Sequence, residues 1–92
     1  MIVYVVCYDE SDDARRTRIA KILRAYGERV QYSVFEVVLR SPGQLQSLTE
    51  RLRKVADEET NIRFYRLCEN CRAESHDLDD NPVAEWPAVV IV

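Results

Sequence analysis

The chain has 92 residues, and 13 Lys and Arg residues against 16 Asp and Glu residues give it a net charge of −3. This length fits one domain, and a hydrophobic fraction of 47% with only 2 Gly and 3 Pro excludes disordered and collagen-like classes. The negative sum argues against a nucleic-acid-binding protein, because phosphate binding favours an excess of basic residues. The charges are unevenly distributed, however: residues 15–29 hold six basic and one acidic side chain, whereas residues 67–92 hold one basic and six acidic.

The chain begins with apolar residues that favour a buried strand. Residues 2–8 are continuously apolar, mostly β-branched or aromatic, as is typical of a strand covered on both faces. No basic segment or small-residue cleavage site marks a signal peptide, and no apolar run is long enough to span a membrane. We therefore expect a cytoplasmic protein without a membrane partner.

A polar break at residues 9–13 leads into the first predicted helix. Ser11 or Asp12 can cap this helix. Gly27 stands where a C′ glycine ends a helix, which predicts a helix from about residue 12 to residue 26. Its apolar side chains recur at helical spacing: Ile19, Ile22, Leu23 and Tyr26.

Residues 29–40 have the pattern of strands. Val30, Tyr32 and Val34 alternate with polar residues, as expected for a half-buried strand. Because this run contains no Gly, Pro or Asn, two structures remain open: one long strand, or a short strand bent near Ser33 into a longer one.

The second predicted helix begins at residues 41–44, which read Ser-Pro-Gly-Gln. Ser41 is expected as the N-cap, Pro42 as the first helical residue and Gln44 as the side chain that reaches back. The helix is predicted to end near Asp57. Its apolar face consists of Leu45, Leu48, Leu52 and Val55.

The last third of the chain contains two further apolar segments. Residues 62–67 alternate as a strand, residues 68–85 are polar and irregular, and residues 88–92 form a terminal apolar run. That run has no charged residue to protect an exposed edge, so it should pair with a sheet of its own subunit or of a partner.

The order of elements predicts an α+β fold, a ferredoxin-like βαββαβ sandwich with an extra C-terminal strand. Residues 1–72 are expected to form the ferredoxin-like core. Residues 73–92 are expected to form an acidic loop and the terminal strand. Oligomerisation would help so small a domain to bury enough surface.

Asp9 is the first candidate functional residue. It directly follows a buried strand and precedes a helix, where open sheets place ligand sites. A carboxylate there could hold Mg²⁺, which needs few protein oxygens, although Asp at such a break is commonly a turn or capping residue. One carboxylate is a poor metal site, whereas a two-fold dimer would supply a second.

A basic cluster on the first predicted helix is the second candidate. Arg15 and Arg16 fall in its first turn, where the helix dipole disfavours positive charge. A phosphate-facing surface is one use of such a placement, and a solvated helix face is the alternative. The candidate nucleic-acid-binding residues are Arg15, Arg16, Arg18, Lys21 and Arg24.

The cysteines give a third, weaker signal. Cys68 and Cys71 form a C-x-x-C pattern, which occurs in half zinc sites and in redox pairs. His76 could add a third zinc ligand, but a fourth would have to come from Asp77 or a symmetry mate. Cys7, within the apolar run, is predicted to be a small core residue.

Taken together, these motifs resemble the second CRISPR-associated protein family. Members are the small partner of the spacer-acquisition integrase and are also described as CRISPR-associated endoribonucleases. The resemblance extends over residues 1–72 with unbroken spacing. The residues that carry it are Tyr8-Asp9, Ser11-Asp12-Asp13 with Arg16 and Arg18, Gly27, Arg29-Val-Gln-Tyr-Ser-Val-Phe-Glu36, and Leu67-Cys68-x-x-Cys71.

The resemblance implies a homodimer whose terminal strand crosses to the partner's sheet. It also implies that Asp9 of each subunit faces the other and can hold a shared Mg²⁺. Arg16, Arg18 and Arg29 would hold phosphate oxygens. The rings of Tyr8 and Phe35 would pack the site or stack a base. The implied catalytic residues are Tyr8, Asp9, Arg16, Arg18, Arg29 and Phe35.

Two functions compete within this family. One is a metal-dependent endonuclease that cuts RNA or DNA. The other is a scaffold for spacer acquisition, in which the dimer binds double-stranded DNA and bridges integrase dimers without needing catalysis. Single-stranded RNA is a further possible partner.

Outside the family, two alternatives remain. One is a toxin-type endoribonuclease of the virulence-associated protein D kind, which has the same fold plan. The other is a non-catalytic RNA-binding module. That module would need Tyr4, Tyr8 and Phe35 on a sheet face that the helices leave open.

Overall fold

The computed structural model describes residues 1–84, and the predicted terminal strand at residues 88–92 lies outside them. The elements within residues 1–84 are β1 (Ile2–Asp9), α1 (Asp13–Arg24), β2 (Gly27–Gln31), β3 (Val34–Leu39), α2 (Pro42–Val55), β4 (Asn61–Leu67) and α3 (Glu69–Ala73). These four strands form one antiparallel sheet in the order β2-β3-β1-β4, which confirms the predicted ferredoxin-like fold. No helix in the described part of the chain is long and apolar enough to cross a bilayer.

The hydrophobic core lies between the sheet and the helices α1 and α2. Alternate side chains of β1 and β3 enter it, because successive residues of a strand point to opposite faces. Both helices contact each other and β3, so both cover the same face of the sheet. The buried cluster consists of Val6, Tyr8, Ile19, Ala20, Leu23, Phe35, Val37, Leu39, Leu48 and Leu52.

Both helix starts agree with the sequence. The Asp12 carboxylate accepts a hydrogen bond from the backbone N–H of Arg15 at 2.8 Å, and so caps α1. The Ser41 hydroxyl accepts from the N–H of Gln44 at 3.3 Å, with Pro42 as the first helical residue. The side-chain carbonyl of Gln44 does reach back, but it accepts from the N–H of Arg40 at 2.6 Å.

The end of α1 differs from the prediction, because Gly27 is not a helix cap. The helix ends at Arg24, and Gly27 is the first residue of β2, without a positive φ. A Cβ at Gly27 would lie 1.9 Å from the backbone oxygen of Glu36 and 2.6 Å from the Cα of Val37. Glycine is therefore needed here because the backbones of β2 and β3 approach closely.

Residues 29–40 form parts of two strands joined by a tight turn. Gln31 pairs with Val34, which leaves Tyr32 and Ser33 as the turn residues. Val30 is 44% exposed and Tyr32 69% exposed, so the predicted half-buried alternation is wrong for both. The physical reason is that β2 is an edge strand, and the pairing is irregular between Arg29 and Gln31.

The region after β4 is more regular than expected. Residues 69–73 form the short helix α3, which corrects the prediction of irregular chain there. Beyond it, the Asp77 carboxylate accepts hydrogen bonds from the backbone N–H groups of Asp79 and Asn81, each at 2.9 Å. His76 and Pro82 form an isolated antiparallel bridge. This loop is therefore closed by its own hydrogen bonds.

A buried carboxylate, Glu10, fixes the geometry where β1 meets α1. Only 7% of Glu10 is exposed, and it accepts hydrogen bonds from the N–H of Asp12 and the Nε of Arg15, each at 3.0 Å, and from the Thr60 hydroxyl. Arg15 also pairs with Asp57 at 3.0 Å. The end of β1, the start of α1 and the turn before β4 are thus held together.

These contacts stabilise the charged form of Glu10. The Thr60 hydroxyl, followed by the Asp12 N–H, holds the pKa of the Glu10 carboxyl below its usual value of 4.5. Thr60 likewise lowers the pKa of Asp57, below 3.8. A carboxyl whose pKa is lower in the folded chain stabilises it above the unfolded pKa, and this stabilisation is lost as the pH falls.

We expect Gly27→Ala to destabilise the fold by about 1–3 kcal/mol or more, because the added methyl group displaces β2 from β3. The matched control is Gly43→Ala, since a Cβ there meets only the Ser41 hydroxyl, at 3.6 Å, and should change stability by less than about 1 kcal/mol. Urea unfolding of both variants measures the difference. Equal stability of the two variants would contradict the close-approach explanation.

We also expect Glu10→Gln to flatten the acid limb of the stability profile, which means that stability falls less steeply as the pH decreases. Below a pH of about 4.5, the unfolded chain takes up a proton at Glu10 more readily than the folded chain, so the wild-type protein loses stability as the pH falls. The variant lacks that loss and retains the contributions of Asp57 and Asp77, whose pKa values are also lowered in the folded chain. The measurement is the urea midpoint at several pH values, with the exposed Glu58→Gln as control; parallel acid limbs for wild type and Glu10→Gln would refute the role of Glu10.

Candidate nucleic-acid interface

The base of the candidate site is a pair of aromatic rings. Tyr8 of β1 is 6% exposed and Phe35 of β3 is fully buried. Their ring centroids are 6.2 Å apart at an interplanar angle of 30°. Of the two roles left open by the sequence, packing is the one that the geometry allows, because a ring this deeply buried has no face free to stack a base.

Arg29 lies above this aromatic pair, on the neighbouring strand β2. Its guanidinium carbon is 5.4 Å from the Phe35 centroid and 5.7 Å from the Tyr32 centroid, within the range of cation–π attraction. Its Nη2 donates to the Tyr8 hydroxyl at 3.5 Å. Arg29 has no ion pair within residues 1–84. The side chain is therefore oriented while its charge stays available.

Arg16 of α1 approaches the same tyrosine from the helix. Its guanidinium carbon lies 5.9 Å from the Tyr32 centroid. Nη1 donates to the backbone oxygen of Glu10 at 3.0 Å, and Nη2 pairs with the Asp13 carboxylate. Arg16 is thus fixed by the start of its own helix, and its charge is partly compensated.

A groove of about 280 Å³ opens between α1 and the β2–β3 turn. Among the described residues, Asp13 is the one carboxylate that lines the groove, and it is engaged by Arg16. Guanidinium groups bind phosphate oxygens through paired hydrogen bonds, and an exposed ring can support a base. The groove is therefore suited to an anion joined to a planar ring. The side chains that give it this character are Tyr8, Arg16, Thr17, Arg24, Arg29 and Tyr32.

The predicted basic cluster divides into three groups. Arg16 and Arg24 line the groove. Arg18 and Lys21 are exposed one helical turn apart, without ion-pair partners in the described part of the chain. Arg15 is held by carboxylates on either side, as described above, which explains its position in the first turn of α1. The first two groups are therefore the ones that are suited to contact phosphate.

Asp9 is separate from this groove. It is exposed at the end of β1, opposite Asn61 of β4, and its carboxylate has no side-chain partner within residues 1–84. Neither Asp9 nor Arg18 lines the groove, whereas Tyr8, Arg16 and Arg29 do. The implied catalytic residues are thus only partly brought together in one copy of the chain.

Whether Asp9 can hold a divalent cation depends on the ligands that lie around it. No group of three or more His, Cys, Asp or Glu side chains within residues 1–84 could hold a metal ion, so the three-ligand zinc arrangement with His76 is not assembled there. Mg²⁺ commonly binds through one or two carboxylates and keeps several waters. Within residues 1–84, Asp9 offers one exposed carboxylate for such an ion.

Two site residues were missed by the sequence reasoning. Tyr32 contacts Arg16 and Arg29, although the sequence predicts it in a half-buried strand. Glu10 is predicted as part of a polar break. For Tyr32, the available signal was the adjacent Ser33, where the sequence already allowed a bend. For Glu10, a lone buried carboxylate gives no periodic signal, and its partner Thr60 is fifty residues away.

Sequence comparisons point to one family. A family model described as CRISPR associated protein Cas2 matches residues 1–75. The chain is 42% identical over 93 residues to a CRISPR-associated endoribonuclease Cas2 of Synechocystis sp., with 100% of both chains covered. It is 43% identical over 83 residues to another from Chloroflexus aurantiacus, with 89% of each covered.

Solved structures give the same result. One chain of a partial Cas6-RT-Cas1–Cas2 complex is similar with a TM-score of 0.85 and 35% identity, over 100% of both chains. Cas2 of Streptococcus pyogenes is similar with a TM-score of 0.73 and 33% identity, over 83% of this chain and 98% of that one. From the family match over residues 1–75 and the full-length relative, the chain belongs to the Cas2 family of CRISPR-associated proteins.

Proposed function

We propose that this protein acts in CRISPR spacer acquisition, as a homodimer that binds double-stranded DNA and bridges dimers of the integrase Cas1. The observation that carries the proposal is Arg29, an oriented cation that lies beside an exposed tyrosine and has no ion pair within residues 1–84. The similarity to a chain of a complex that contains Cas1 supports the partner. Membership of the Cas2 family supports the process.

The groove and the exposed side of α1 would together contact the DNA backbone. Arg29 and Arg16 would hold phosphate oxygens, and the Tyr32 ring would pack against the adjoining sugar or base. Arg18 and Lys21 would extend the contact along the helix. Because these contacts address phosphate, the binding would depend on salt and little on sequence.

The dimer would use the sheet face turned away from α1 and α2. On that face β1 and β3 place Val5, Val34 and Val38, each only partly buried within a single copy. Asp9 belongs to the same face, because residues two apart on a strand share a side. Packing two copies through this face supports both the dimer and an approach of the two Asp9 carboxylates.

A second candidate activity is Mg²⁺-dependent cleavage of RNA or DNA, favoured by the free carboxylate of Asp9 and by relatives named endoribonucleases. Bound Mg²⁺ would supply charge stabilisation at the phosphate and a more acidic water. Asp9 would hold the ion, and Arg16 and Arg29 would bind the phosphate oxygens. Tyr8 would act by orienting Arg29 through its hydroxyl. The scaffold role requires none of this chemistry.

Two observations argue against the alternatives outside the family, the RNA-binding module and the toxin-type endoribonuclease. An RNA-binding sheet platform needs Tyr4, Tyr8 and Phe35 on an open face, but all three lie on the face that the helices cover. The family match over residues 1–75 favours Cas2 over a toxin of the virulence-associated protein D kind.

We expect Arg29→Ala to weaken binding to a short DNA duplex about tenfold, because one charge-assisted phosphate contact is lost. The slope of log affinity against log salt should fall by about 1. Tyr32→Ala should weaken binding with a smaller change in slope, since the ring carries no charge. Fluorescence anisotropy at several salt concentrations measures both effects.

The matched control is Arg51→Ala. Arg51 also covers a tyrosine, at 5.6 Å from the Tyr26 centroid, but it lies outside the groove. Its removal should leave affinity and salt slope unchanged. If Arg29→Ala behaves like Arg51→Ala, the groove is not the DNA-binding site.

We expect Asp9→Asn to reduce Mg²⁺-dependent cleavage by about 100-fold or more, because the metal-holding carboxylate is lost. Dimer mass, DNA affinity and association with Cas1 should be retained. Asp79→Asn, which changes an exposed carboxylate in the loop after α3, should have no effect on any of the four measurements. Unchanged cleavage by Asp9→Asn would refute the metal role, and loss of Cas1 association with an intact dimer would refute a scaffold independent of Asp9.

A further inference from the structure

The C-x-x-C pair at the end of β4 has a geometry of its own. Cys68 directly follows β4 and caps α3, and Cys71 lies within that helix. The two sulfur atoms are 3.2 Å apart, and the Cys68 Sγ also accepts a hydrogen bond from the N–H of Cys71 at 3.4 Å. Both thiols are free and exposed. Two reactive groups are thus held in contact and within reach of solvent.

The remaining step to a disulfide is short. A disulfide has an S–S distance of about 2.0 Å, and a Cα separation of roughly 4.4–6.8 Å is tolerated. Residues one turn apart in a helix are neighbours on its surface, about 5–6 Å between Cβ atoms. Closing the 3.2 Å gap between Cys68 and Cys71 therefore requires side-chain rotation with a small adjustment of the first turn of α3.

We propose that Cys68 and Cys71 form a reversible dithiol–disulfide site that exchanges with low-molecular-weight disulfides such as glutathione disulfide. The Cys68 thiolate attacks one sulfur of glutathione disulfide, forms a mixed disulfide and releases one glutathione thiolate. Cys71 loses its proton to solvent and attacks the Cys68 sulfur, which expels the second glutathione thiolate. The protein thiols lose two electrons and two protons, and glutathione disulfide is reduced to two thiols.

The surroundings shift the pKa values of the two thiols in opposite directions. The Cys71 N–H, and then the Cys71 thiol, lower the pKa of Cys68, whereas the Cys68 sulfur raises the pKa of Cys71. A larger thiolate fraction makes Cys68 the attacking group, and Cys71 the group that resolves the mixed disulfide. Cys7 lies partly buried on β1 and takes no part in this pair.

The disulfide would fix the path of the chain as it leaves the sheet. Leu67 pairs with Val3 at the end of β4, and Cys68 is the next residue. Linking it to Cys71 locks the first turn of α3, which leads into the hydrogen-bonded loop after α3. Amide exchange of residues 69–75 should therefore slow in the oxidised protein, while that of β1 stays the same.

The test uses the full chain equilibrated in defined glutathione and glutathione disulfide mixtures, quenched in acid and weighed by mass spectrometry. We expect a species lighter by two hydrogen atoms, without a glutathione adduct. Cys71→Ser should instead trap a glutathione adduct on Cys68, and Cys68→Ser should lose the disulfide altogether. Cys7→Ser should behave as the wild type.

A peptide with the sequence of residues 66–74 separates the effect of the fold from that of C-x-x-C chemistry alone. The folded chain should become half oxidised at about a tenfold lower disulfide-to-thiol ratio than the peptide. Equal ratios, a disulfide between two copies, or stable adducts on the wild-type chain would each overturn the proposal. None of these outcomes depends on DNA binding or cleavage, so the test of the dithiol–disulfide site is independent of the proposed function.

Discussion

The packing of the Phe35 ring beneath Tyr8 and Arg29 joins the hydrophobic core to the surface on which the proposed function depends. Phe35 is fully buried, and it contacts one ring from β1 and one cation from β2. An arginine on an edge strand would ordinarily sample many rotamers at a large entropic cost on binding. Here the rings below and beside Arg29, with the Tyr8 hydroxyl, restrict it before any phosphate arrives, and so reduce the cost of ordering it in a complex.

The acidic residues near the groove are neutralised from within the protein. Glu10 is engaged by Thr60 and Arg15, Asp12 caps α1, and Asp13 pairs with Arg16. Each of these three carboxylates therefore already has a donor. The net charge of −3 coexists with a basic groove because these carboxylates are compensated locally, and because the remaining excess of acidic residues lies after residue 66. Net charge alone is thus a poor guide to partners for a chain of this size.

Sequence patterns predicted the parts of the fold that depend on local chemistry. The caps at Asp12 and Ser41 and the strand over residues 2–8 follow from propensities within a few residues, and the order of elements suffices for the ferredoxin-like topology. The predicted burial of that strand on both faces is not complete, because residues 2, 4, 5 and 7 are only partly buried. The prediction of Gly27 as a helix cap was wrong, because the need for glycine there comes from its close contact with Glu36 on another strand. The turn at Tyr32 and Ser33 was left open, because the run has no Gly, Pro or Asn and Ser33 is a weak turn signal by itself. The placement of Tyr32 in the site depends on that turn.

The alternation of side chains along β1 explains why the proposed DNA binding and the proposed cleavage would be separable. Tyr8 and Asp9 are adjacent, yet a strand directs successive residues to opposite faces. Tyr8 therefore faces the helices and supports the groove, while Asp9 is directed to the side proposed for a second copy. A change at Asp9 leaves the contacts of Tyr8 with Phe35 and Arg29 intact. A change at Arg29 leaves the carboxylate in place, but removes a group that would hold the phosphate for either activity. The two activities are thus expected to share the arginines and to differ only in their need for Asp9.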